Sequence, residues 1–62
     1  MTTGLDGRRV LVVEDESLVA MLLETMLEDM GCVPVGPIGT VDEALEVIAA
    51  DPGLDAALLD VN

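Results

Sequence analysis

The chain has 62 residues, of which 52% are hydrophobic, and 13 acids against two arginines give it a net charge of −11. That much apolar side chain excludes a disordered tail, and that much negative charge excludes a surface built to neutralise the phosphates of a nucleic acid or an anionic membrane. One small domain is the most such a chain can form, with a net stability of only ~3–5 kcal/mol.

Met1 to Gly7 is polar and lacks periodicity, so residues 1–8 read as a leader. Val10-Leu11-Val12-Val13 is a continuous aliphatic run, too short for a helix and suited to a strand buried on both faces. Glu14-Asp15-Glu16 ends it. From Ser17 the apolar residues Val19, Leu22, Leu23, Met26, Leu27 and Met30 recur at spacings of three and four, which predicts a helix packed through that stripe and stopped at Gly31. Leu18 and Met21 widen its apolar surface, and the methionines read as core filler. Ser17 reads as the cap of this helix rather than as a reactive hydroxyl.

Cys32-Val33-Pro34-Val35 predicts a second strand, which Pro34 confines to a sheet edge, with Gly36-Pro37-Ile38-Gly39 as the following loop. Thr40-Val41-Asp42-Glu43 is a capping box that opens a second helix with Val41, Ala44, Leu45 and Ile48 inward, and Asp51-Pro52-Gly53 closes it. Ala56-Ala57-Leu58-Leu59 is a third strand, again of the buried type, ending in Asp60-Val61-Asn62. Strands separated by helices run parallel, and right-handed crossovers give the order 2-1-3. The third strand is then an apolar edge without Pro or charge, a template for a homodimer.

With no His, Lys, Tyr, Trp or Phe, the chain lacks an imidazole base, a Schiff-base amine, a Walker lysine and rings on which bases stack. The apolar runs are too short for a signal peptide or a membrane span, which makes the cytoplasm the expected location. Cys32 is a single thiol without a cationic neighbour in sequence, so it reads as a packed strand residue.

What remains is carboxylate chemistry. In a parallel sheet of order 2-1-3, the first and third strands end side by side, ~4.8 Å apart, and deliver Glu14, Asp15 and Asp60 to one crevice. Acids after a strand also suit a helix N-terminus or a turn. Their convergence favours instead a hard divalent cation such as Mg²⁺, which relieves the mutual repulsion.

The runs Val10 to Glu16, Glu43-Ala44-Leu45 and Leu58-Leu59-Asp60-Val61-Asn62, with the helix ending at Gly31, resemble in order and spacing the N-terminal half of a response-regulator receiver domain. The resemblance implies the βαβαβ half of a flavodoxin-like, doubly wound α/β sheet. It further implies that Asp60 accepts a phosphoryl group from a histidine kinase or phosphotransfer protein, and that the chain is not itself an enzyme. Glu14, Asp15 and Asp60 would hold Mg²⁺, with the main-chain carbonyl of Asn62 completing the site. Receiver domains continue through two more strands that carry a hydroxyl residue and a Lys against the phosphoryl oxygens. These 62 residues hold no Lys, which makes them a very poor acceptor. The competing expectation is a binding module that docks a kinase or phosphotransfer protein through the first helix, or a self-associating structural fragment.

Overall fold

A computed structural model describes residues 5–60. The chain runs β1 (Arg9–Val13), α1 (Ser17–Asp29), β2 (Val33–Ile38), α2 (Val41–Ala50) and β3 (Ala56–Leu59). The strands form one parallel sheet in the order β2-β1-β3. α1 crosses between the neighbouring strands β1 and β2, and α2 carries the chain from β2 past β1 to β3 on its other side, each a connection between parallel strands as a βαβ chain requires.

β1 is central because its residues are apolar without interruption. Val10 and Val12 pack on one face with Leu23, Leu27 and Cys32, while Leu11 and Val13 pack on the other with Val35, Ile38, Ala44, Val47 and Leu54. Leu11, Val12 and Val13 are wholly buried. Burying each such side chain contributes about 1.5–3 kcal/mol, so this strand carries much of the hydrophobic stabilisation of a small molecule.

The helices bury less than their sequence pattern predicts. In α1 only Ala20 and Leu27 are buried, with Val19 and Leu23 half-buried, whereas Leu22, Met26 and Met30 of the expected stripe are exposed. The helix rests on the sheet along Ala20, Leu23 and Leu27, a narrower line, because a small residue allows close approach and nothing covers the flank. Met21, Met26 and Met30 are accordingly surface residues rather than core filler. In α2, Ala44 and the half-buried Val47 face the sheet, while Val41, Leu45 and Ile48, expected inward, are exposed. β3, expected to be buried, is exposed along all four residues because neither helix lies over it. Among the described residues no helix is long and apolar enough to cross a membrane.

The turn chemistry is close to expectation. Gly31 takes the left-handed conformation after α1, with φ +85°, where a Cβ would collide with the Asp6 carboxylate. Leu5–Gly7 is a turn fastened to this end of α1, since the Gly7 N–H donates to the Gly31 carbonyl at 2.8 Å. The Thr40 hydroxyl oxygen accepts the Glu43 N–H at 3.2 Å, the capping contact predicted for α2. Ser17 is not a cap: it is the first helical residue, and Glu16 occupies the cap position without a side-chain hydrogen bond.

β2 also departs from expectation, because it continues through Gly36 and Pro37 to Ile38 where a loop was predicted. Leu11 aligns with Val35 and Val13 with Ile38, so β2 carries one extra residue and bulges. Gly36 has φ +103°, and a Cβ there would stand 2.9 Å from the Ile38 nitrogen and 3.1 Å from the Val12 oxygen. Only glycine fits that approach. The bulge places the Ile38 carbonyl where it accepts the Glu14 N–H at 2.8 Å.

Candidate functional site

Sequence order and sheet topology deliver Glu14 and Asp60 to adjacent strand ends. Asp60 donates its N–H to the Val13 carbonyl at 2.9 Å, which keeps β3 beside β1 up to the acids. Glu14 is held from three sides. Its N–H is bound to Ile38, its Oε1 accepts the Glu16 N–H at 2.9 Å, and the residue is only 5% exposed. Asp15 and Asp60 are exposed beside it. Both α1 and α2 begin at this edge of the sheet, so the positive ends of two helix dipoles face the acids.

The electrostatics of Glu14 report crowding. The Glu16 N–H by itself draws the pKa down, but burial, the Asp60 charge and close side-chain contacts with Asp15 and Asp60 outweigh it, and the net shift is upward. A buried carboxylate raised by neighbouring carboxylates is what a cation would relieve, and an all-oxygen donor set fits a hard ion such as Mg²⁺. Among the described residues, no three acids stand close enough together to hold a metal as they are. The predicted Asn62 contribution lies outside the described residues.

The opposite end of the sheet carries an arrangement that the sequence reading missed. Arg9 Nη1 donates to Asp51 Oδ1 at 2.7 Å, and the Arg9 N–H donates to Asp55 Oδ2 at 2.8 Å. Arg8 Nη1 reaches Asp55 Oδ1 at 3.2 Å. Asp51 Oδ1 also accepts the Gly53 N–H, and the Asp55 N–H donates to the Arg9 carbonyl. The Arg9 hydrogen bond draws the Asp51 pKa down, and the Arg9 N–H with the Arg8 guanidinium does the same for Asp55. The signal was present in the composition: two arginines serve 13 acids, so whichever acids they contact are singled out.

Cys32 is buried, with its sulfur 3.6 Å from the Leu5 carbonyl, a packed thiol as expected, although it stands just before β2 rather than in the strand. No family model, curated protein or solved structure matches the chain.

Proposed function

We propose that the chain is the phosphoacceptor portion of a receiver module, with Asp60 as acceptor and Glu14 and Asp15 as the acids of a Mg²⁺ site. The observation that supports this most is Glu14, a carboxylate pushed up by burial and then by Asp60 and Asp15, against the pull of the Glu16 N–H, at the carboxyl edge of a parallel sheet. Open α/β sheets bind ligands at this edge, and carboxylates that serve only the fold are seldom left unbalanced there.

In this reading an Asp60 carboxylate oxygen attacks the phosphorus of a phosphohistidine. The new O–P bond forms as the P–N bond breaks, and the imidazole leaves with a proton from solvent. Bound Mg²⁺ would offset the charge of the phosphoryl oxygens. Glu14 keeps its carboxylate fixed through the Glu16 N–H and so orients the site, while the exposed Asp15 and Asp60 would supply ligands to the ion. These 62 residues supply no Lys to the phosphoryl oxygens, so transfer to them by themselves is slow.

Incubation with a small phosphodonor and Mg²⁺, followed by intact mass, tests the assignment. Slow labelling that Asp60→Asn removes and Asp55→Asn retains is the expected result. Equal labelling of the Asp60→Asn variant would refute it.

A second reading has its own observation. Leu18, Met21, Leu22 and Met26 form an exposed apolar surface on α1, which suits docking of a kinase or phosphotransfer protein without phosphoryl transfer. Binding lost in Met21→Ser and Leu22→Ser but unaffected by Asp60→Asn would favour it.

A further inference from the structure

β2 reaches Ile38 with one residue more than β1 requires, since two steps of β1 from Leu11 to Val13 run against three of β2 from Val35 to Ile38. Residues three apart on a regular strand face opposite sides of the sheet, yet Val35 and Ile38 both pack on the α2 side with Leu11, Val13 and Ala44. The extra residue of the bulge makes this possible, and it leaves Ile38 anchored by its side chain at the end of the strand. The Ile38 carbonyl then accepts the Glu14 N–H at 2.8 Å, at the carboxyl end of the ladder between β1 and β2.

We infer that Gly36 is a positioning residue for the acidic edge: it lets β2 bulge without parting from β1, so that the Ile38 carbonyl holds the Glu14 backbone and, through it, the carboxylate that orients the cation. The inference rests on the reading of that edge as a Mg²⁺ site. It adds to that site a residue on the neighbouring strand that has no side chain to offer the ion.

Glu14 is pinned at two points, by its own N–H on Ile38 and by its Oε1, which accepts the Glu16 N–H at 2.9 Å. The second bond sets the carboxylate only as firmly as the first sets the backbone that carries it. In a parallel ladder of this register, the residue that accepts from Glu14 also directs its own N–H at the Val12 carbonyl. A Cβ on Gly36 would stand 2.9 Å from that nitrogen and 3.1 Å from that oxygen. Both are backbone atoms, which cannot turn aside as a side chain would, and the φ of +103° at Gly36 strains any residue with a Cβ. A side chain at this position therefore forces Ile38 away from Val12 at the rung next to Glu14. The other side of β1 is held independently, because the Asp60 N–H donates to the Val13 carbonyl.

Gly36→Ala in the full chain reads this at two places. Amide hydrogen exchange compares Glu14, bonded toward β2, with Asp60, bonded toward β3, in one sample, so that global opening cancels. Loss of protection at Glu14 relative to Asp60 is the expected result. Isothermal titration with Mg²⁺ should give a dissociation constant about 10–100-fold above wild type, the usual effect of removing a group that orients a metal ligand. Val47→Ala, which thins the packing of α2 on the sheet, is the control for stability: it lowers the melting temperature and leaves the Mg²⁺ affinity as in wild type. Where Gly36→Ala proves too unstable to fold, a synthetic chain with an ester in place of the Val13–Glu14 peptide bond removes the Glu14 N–H alone, and the same loss of affinity is expected. Wild-type Mg²⁺ affinity in Gly36→Ala or in the ester, or an unchanged ratio of Glu14 to Asp60 protection in Gly36→Ala, overturns the role of Gly36 and leaves the bulge a feature of the fold alone. Equal weakening by Val47→Ala does the same, because the effect would then follow stability. A wild-type chain that binds no Mg²⁺ refutes the cation site itself and the inference with it, while the exchange comparison still shows whether Gly36 holds Glu14 in place.

Discussion

The two ends of this sheet use the same side chains to opposite effect. At the amino end Asp51 and Asp55 meet Arg9 and Arg8, accept backbone N–H groups, and are held below their ordinary pKa. At the carboxyl end Glu14 lies beside Asp15 and Asp60, with one backbone donor and, among the described residues, no cation, and is held above its ordinary pKa. The first set stabilises the folded chain where it stands. The second is tolerated in the fold without contributing to it, and that asymmetry separates the structural acids from the candidate functional ones more sharply than their positions in the sequence.

Breaking the frame that separates the two ends should have the largest effect. Leu11 is wholly buried between Val13, Val35, Ala44 and the rest of the α2-side cluster. Leu11→Ala in such a site costs about 2–5 kcal/mol, comparable to the whole stability of a chain this size, so circular dichroism should show a largely unfolded variant at room temperature. A cooperative transition at the wild-type temperature would mean that β1 is not the member on which both ends depend.

Mg²⁺ sharpens the comparison from the other side. At tenfold excess over its dissociation constant, a ligand that binds only the folded state stabilises it by about 1.4 kcal/mol. The expected thermal shift appears in the wild type and in Asp51→Asn and disappears in Asp15→Ala. A shift that survives Asp15→Ala, or is lost in Asp51→Asn, would move the cation to the wrong end.

The order of the strands and the location of the acids were legible in the sequence because both follow from uninterrupted aliphatic runs and short-range signals. Val10 to Val13 could only be a central strand, and Pro34 could only lie at an edge. The helix faces were not legible, since periodicity identifies an apolar stripe but not how wide a surface exists to receive it. Three strands leave room for Ala20, Leu23 and Leu27 but not for Leu22 and Met26. The bulge at Gly36 was hidden for a related reason: a Gly-Pro pair is ordinarily a loop signal, and only the pairing with β1 keeps it in the sheet. The arginine–aspartate ring joins residues 42 and 46 positions apart, a separation that no local pattern encodes.

Acid titration should set the two ends against each other, with a smaller effect. Glu14 binds its proton more tightly in the folded chain, so its contribution is fully present below the unfolded pKa and is lost as pH rises through the folded one. Glu14→Gln therefore gains stability relative to wild type near neutral pH, and the gain vanishes in acid. Asp51, with a lowered pKa, contributes above the unfolded value and loses that contribution as pH falls through the folded one. Asp51→Asn therefore loses stability near neutral pH and unfolds less steeply in acid. Denaturant melts of both variants across this range should give shifts of opposite sign, and shifts of the same sign would show that the two ends are not electrostatically distinct.

The smallest effects concern how the helices begin at the acidic edge. Thr40 caps α2 through the Glu43 N–H, whereas Glu16 occupies the same position before α1 and offers its side chain to nothing there. Removing the one cap by Thr40→Ala should cost about 1 kcal/mol. Supplying the other by Glu16→Asp keeps the charge at the helix N-terminus while shortening the side chain to one that can accept the exposed N–H groups of the first turn, for a gain of about 0.5 kcal/mol. The Glu16 N–H would still be free to serve Glu14, so the Mg²⁺ shift should persist in Glu16→Asp. If stabilising the start of α1 instead abolished that shift, the chain segment between Glu14 and Ser17 would have to move for the cation to bind, and the acidic edge would be a flexible site rather than one held in place by β1 and the bulge of β2.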